Sequence, residues 1–102
     1  MYLSVSPAGE VSLREPGDFA RLHLDLRGIT AREADRALRR ARLGSLVGDD
    51  HALIDLAGLR AMVAEAAADP GWAAGWDAMV EYARGKRWLS DDGTSVRVHV
   101  ER

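Results

Sequence analysis

Two short segments carry the residue types most suited to chemistry. Arg21-Leu22-His23-Leu24-Asp25 and Arg97-Val98-His99-Val100-Glu101 share one pattern: a base, an apolar residue, a histidine, an apolar residue and an acid. At a period of two, each segment shows Arg, His and a carboxylate on one face of a strand and its aliphatic residues on the other. If the strands are neighbours, antiparallel pairing sets Arg21 opposite Glu101, His23 opposite His99 and Asp25 opposite Arg97, whereas parallel pairing sets like against like. Charge complementarity therefore predicts the antiparallel arrangement. Two imidazoles between Asp25 and Glu101 have the chemistry to take a divalent metal or pass a proton. A two-histidine set lacks a fixed third ligand, however, and a solvated sheet face or an oligomer contact with cross-strand ion pairs accounts for the same residues.

A second cluster is Asp49-Asp50-His51, with Asp55 four residues on. Its Asp50 and His51 are candidate acid, base or ligand groups at a loop exit. Acids before an element also serve capping and solubility. The candidate ligand-binding residues are thus His23, His99, Asp25, Glu101, His51 and Asp50, with no metal or cofactor assigned. No HExxH, EF-hand, GxGxxG, P-loop or GxSxG motif occurs, so no reaction is indicated. The absence of cysteine removes disulfides, thiolate nucleophiles and cysteine zinc sites. Arg32, Arg36, Arg39 and Arg40 could grip phosphates, but Glu33 and Asp35 are spaced to pair with them on a solvent face.

These residues need elements to position them. Leu3 and Val5, then Val11 and Leu13, alternate around Pro7-Ala8-Gly9-Glu10 and predict a hairpin. Strict alternation over residues 20–26 predicts a half-buried strand. Thr30-Ala31-Arg32-Glu33 is a capping-box pattern opening a helix to about Arg42, with Ala34, Ala37, Leu38 and Ala41 inward and Gly44 as its stop. Residues 45–50 read as a loop. His51 to Leu56 fits a short strand or a helix, and the strand is favoured, with Asp55 capping a helix of inner residues Leu59, Met62, Val63 and Ala66. Asp69-Pro70 opens a third helix over residues 71–84, capped by Gly85, in which Trp72, Trp76, Met79, Val80 and Ala83 form one stripe. Trp88-Leu89-Ser90 and Ser95 to Glu101 make a closing hairpin around Asp91-Asp92-Gly93-Thr94, with Val96, Val98 and Val100 inward.

The expected fold is one α+β domain over residues 1–102, a small, mostly antiparallel sheet of N-terminal hairpin, strand 20–26 and C-terminal hairpin packed on three helices. The length suits a single core. No stretch resembles a signal peptide or membrane span, which places the chain in the cytoplasm by default. A net charge of -2 gives no general attraction to nucleic acid or anionic membrane. The leading functional expectation is a non-catalytic interaction domain that forms a homodimer or binds another protein. A winged-helix nucleic-acid binder is the alternative, opposed by net acidity and the acidic Asp91-Asp92 tip. A small enzyme or metal-binding domain using the His and carboxylate groups comes third.

Overall fold

Residues 1–102 are all described by the computed structural model. The alternating segments form strands β1 (Tyr2–Val5), β2 (Val11–Arg14) and β3 (His23–Leu26), followed by helix α1 (Ala31–Arg40). Strands β4 (Gly44–Val47) and β5 (His51–Asp55), helices α2 (Leu56–Ala66) and α3 (Trp72–Gly85), and strand β6 (Ser95–Glu101) complete the chain. The six strands make one sheet in the order β2-β1-β3-β6-β5-β4. Eighteen buried apolar residues from strands and helices form a single core cluster, in which Leu3, Leu24, Ile54 and Val98 meet Leu38, Leu59, Val63 and Trp76. No helix is long and apolar enough to cross a membrane.

The α+β class, the N-terminal hairpin and the antiparallel majority of strand pairings agree with the sequence, but the sheet is mixed, because two of its five pairings are parallel. β1 pairs with β3 and β3 with β6 in parallel, while β1–β2, β4–β5 and β5–β6 are antiparallel. The expected antiparallel pairing of residues 20–26 with 95–101 is therefore corrected. The strands are neighbours, yet His23 stands opposite His99, Leu24 opposite Val100 and Asp25 opposite Glu101. Either orientation buries the same Leu and Val residues, each contributing about 1.5–3 kcal/mol. Cross-strand charge pairs contribute only about 0.2–1 kcal/mol, so the chain's connections decide orientation. The loop after β2 returns to the start of β1, where the Met1 nitrogen donates to the carbonyls of Asp18 and Arg21 at 2.7 and 3.1 Å. β3 consequently sets out in the direction of β1.

β3 is also shorter than the alternation suggests, because the flank of β6 ahead of His99 is already occupied. Ser90 N donates to Ser95 O at 2.8 Å and Arg97 N to Trp88 O at 2.7 Å, with Leu89 bridging Val96. The closing hairpin thus has one very short arm, and β6 lies in the middle of the sheet and projects no wing. Residues 45–50, expected as a loop, contain β4 and a turn into β5, with Gly48 at φ 66°.

The helix starts are largely chemical. Thr30 and Glu33 form the capping box, with Glu33 N donating to Thr30 Oγ1 at 3.1 Å and Thr30 N to Glu33 Oε1 at 3.3 Å. Asp55 caps α2 by accepting from Gly58 N at 2.8 Å. At α3 the start moves two residues on. Asp69 accepts from Gly71 N at 2.9 Å in a local turn, and Gly71 becomes the N-cap. The stop also moves, since Gly85 stays helical and Arg87 takes the left-handed position at φ 63°. Trp76 and Ala83 are buried, whereas Met79 and Val80 are half-buried. Ala41 and Ala66, expected inward, are exposed at helix ends.

The turn before β6 is organised by Asp92. Hydrogen bonds from the Ser90 hydroxyl and from the Thr94 backbone and hydroxyl hold its carboxyl down from the ordinary 3.8 to about 2. A carboxyl whose folded value lies below its unfolded one stabilises the fold above the unfolded value, and that contribution is lost as pH falls through the folded value. The turn is accordingly expected to hold at pH 4 and above and to loosen as pH falls towards about 2. Carboxyl-carbon NMR should place the Asp92 midpoint near 2, and Ser90→Ala, which removes the largest contribution, should return it towards 3.8.

Candidate functional site

β6 is central to the sheet, and its period of two sends Val96, Val98 and Val100 into the core and leaves Arg97, His99 and Glu101 exposed. Because His99 is the register partner of both His23 on β3 and His51 on β5, all three histidines of the chain lie in one row across three strands. Tyr2 on β1, opposite His23, extends the row to a fourth strand. His51 of the second candidate cluster therefore shares one surface with the first, while Asp49 and Asp50 stay in the exposed turn before β5.

Contacts along the row are pairwise. The Tyr2 and His23 rings stack with centroids 4.8 Å apart and planes 16° apart. His23 Nε2 lies 3.3 Å from Glu101 Oε2, a diagonal approach across the β3–β6 register in which Asp25 stands opposite Glu101. The His51 and His99 rings meet edge to face at 6.0 Å. Arg97 Nη2 is 3.3 Å from His51 Nε2. A guanidinium has no acceptor, so a hydrogen bond there requires Nε2 to accept and the His51 ring to carry its proton on Nδ1.

Asp25 is the one buried charged residue of the chain, at 8% exposure. Its carboxylate receives both contacts of the Arg27 Nε, each 3.2 Å, from two residues further along its own chain. Arg97, expected opposite Asp25, sits opposite Leu53 instead. Arg21 lies outside the ladder and does not face Glu101. Asp50 is exposed in the turn before β5, where its backbone carbonyl accepts from Val100 N at 2.8 Å. No three His, Asp or Glu side chains are arranged to hold one metal ion.

No family model, curated protein or solved structure matches this chain. What the site can do therefore follows from its geometry. The row lies on an open sheet face, with its polar groups spread across four strands. Leu22, Trp88 and Val98 flank His51, Arg97 and His99 around a recess of about 270 Å³ where β3 has not yet begun. Tyr2 and Trp88 are the residues that sequence reasoning left out of the site. The alternation around Leu3 and Val5 already puts Tyr2 on the polar face, but only the parallel β1–β3 pairing makes it a neighbour of His23.

The basic stripe of α1 is a solvent face as its spacing suggests. Arg39 Nε donates to Asp35 at 2.8 Å, and the other oxygen of Asp35 accepts from Leu46 N at 2.8 Å, tying α1 to β4. The Leu46 hydrogen bond and then Arg39 hold the Asp35 carboxyl below its usual range. Arg60 lies over the Trp72 ring at 4.9 Å, which makes Trp72 a half-buried packing residue.

Proposed function

We propose that the chain is a non-catalytic interaction domain that pairs with a second copy of itself through the open face of its sheet. The observation that carries this reading is the parallel β1-β3-β6 block at the sheet's centre, whose Arg97, His99 and Glu101 side is exposed. Parallel strands are generally covered on both faces, so a face of this kind calls for a second layer. The residues on it suit a copy of themselves. Arg97 and Glu101 flank His99 along β6, Arg14 lies at the far end of the same row on β2, and the side chains of Tyr2, His23 and His51 are half-buried already. A two-fold contact requires such a self-complementary patch, with both charge signs and some apolar area. Net charge -2 assigns no role to a phosphate backbone as the partner.

Sedimentation equilibrium tests the reading. The full chain should sediment as a dimer, and His99→Glu, which places a carboxylate at the centre of the row in both copies, should weaken self-association at least about tenfold with the far-ultraviolet circular dichroism unchanged. A chain that stays monomeric at millimolar concentration, or a His99→Glu variant that dimerises as tightly as the parent, would overturn it.

A further inference from the structure

On the helix side of the sheet, beside the strand that carries His99, lies a cavity of about 210 Å³ between α3, the 19–22 loop and Trp88. Ten of its eleven lining residues are apolar, and the eleventh is Arg21. Its walls include Ala83 and Val96, both only 4% exposed. Tyr82 and Trp88, at 60% and 42% exposure, are two of the three large apolar side chains the fold leaves exposed, and both line this cavity. Their rings meet edge to face at 5.8 Å, and Lys86 Nζ lies 5.5 Å from the Tyr82 ring. The loop is held in place by Phe19, whose ring packs so closely on α3 that a Cβ at Gly75 would lie 2.7 Å from it.

The chemistry of this lining is specific. The guanidinium of Arg21 is exposed and takes part in none of the ion pairs of the fold. An unpaired guanidinium at an apolar cavity offers its planar fork to a carboxylate. Size narrows the ligand further, because a cavity of about 150 Å³ with an aliphatic and aromatic lining takes up benzene. The extra volume here accommodates a short arm on such a ring, and the volume is too small for a long acyl chain. We propose that this cavity binds a small aryl-alkyl carboxylate, its ring among Leu22, Val80 and Ala83 and its carboxylate on Arg21. Trp88 also borders the recess that holds His51 and His99, so an occupant changes the surroundings of a residue common to both faces. The ligand site does not depend on the dimer.

The test is a titration of the full chain with 3-phenylpropanoate, followed by backbone amide NMR and by the indole N–H resonance of Trp88. Saturable shifts should concentrate at Leu22, Val80, Ala83 and Trp88. The neutral 3-phenylpropanamide and the ring-less propanoate should each bind at least about tenfold more weakly. Arg21→Gln should lose at least about tenfold in affinity for the acid and almost nothing for the amide, a difference that a folding defect would not produce. Ala20→Phe, at an exposed position on the cavity rim, should block both. Absence of saturable binding, equal binding of acid and amide, or unchanged affinity in Arg21→Gln would overturn the proposal.

Discussion

Replacing Trp76 by alanine is expected to destabilise the chain by about 3–5 kcal/mol. Its indole is 4% exposed and belongs to the single core cluster, where α3 meets the sheet. Removing it takes away the largest apolar side chain in the core and leaves a hole that the surrounding strand residues, fixed by their ladders, cannot collapse to fill. Domains of this size are stable by only about 5–15 kcal/mol, so the loss approaches the whole margin. Urea denaturation monitored by circular dichroism should show the midpoint falling steeply or no folded baseline at all. Trp72→Ala is the control, because Trp72 is half-buried and should cost distinctly less. Equal effects at the two positions would show that the α3 stripe does not face the core as described.

Gly44→Ala should be nearly as damaging, although it adds a single methyl group. Gly44 opens β4 at φ 146°, and a Cβ there would lie 2.0 Å from the Leu53 carbonyl oxygen. That atom is backbone in the neighbouring strand, so relief requires β4 to move away from β5. Strain of this kind costs about 1–3 kcal/mol by itself, and disturbing the ladder adds to it, for a total of at least about 3 kcal/mol. Gly85→Ala is the contrasting substitution. It sits in the last turn of α3 with nothing within 4 Å of its Cβ, and alanine there should stabilise by about 0.5–1 kcal/mol. Thermal melts of the two variants should therefore shift in opposite directions, and a Gly44→Ala melt like that of the parent would sink the account of the β4–β5 contact.

The failed orientation of β3 and β6 shows what a pairwise charge argument leaves out. A one-against-one comparison of opposed residues omits the diagonal approach of His23 to Glu101 and the pairing of Arg27 with Asp25 within β3's own chain, which meets the buried carboxylate in the parallel register. These solutions are equally open to the sequence, and neither is visible until the register is known. The loop at 45–50 failed differently. Ser45-Leu46-Val47 is too short to show a period, and β4 exists because Gly44 can lie against Leu53 and because Gly48 turns the chain into β5.

Strand faces and the starts of α1 and α2 were legible from the residues alone, because they depend on interactions within a few positions, whereas the ends of α3 were not. Alternation placed His23, His99 and Glu101 on polar faces and Leu24, Val98 and Val100 inside. Thr30 with Glu33, and Asp55, announced their helices through the backbone groups they satisfy. Partners were not legible. That His51 joins His23 and His99 in one row, that Tyr2 stacks on the end of it, and that Arg21 leaves the strand to stand at an apolar cavity all depend on which strands lie side by side. Strand order follows from the burial of the whole chain on one core and from the paths its loops can take, which no local pattern encodes.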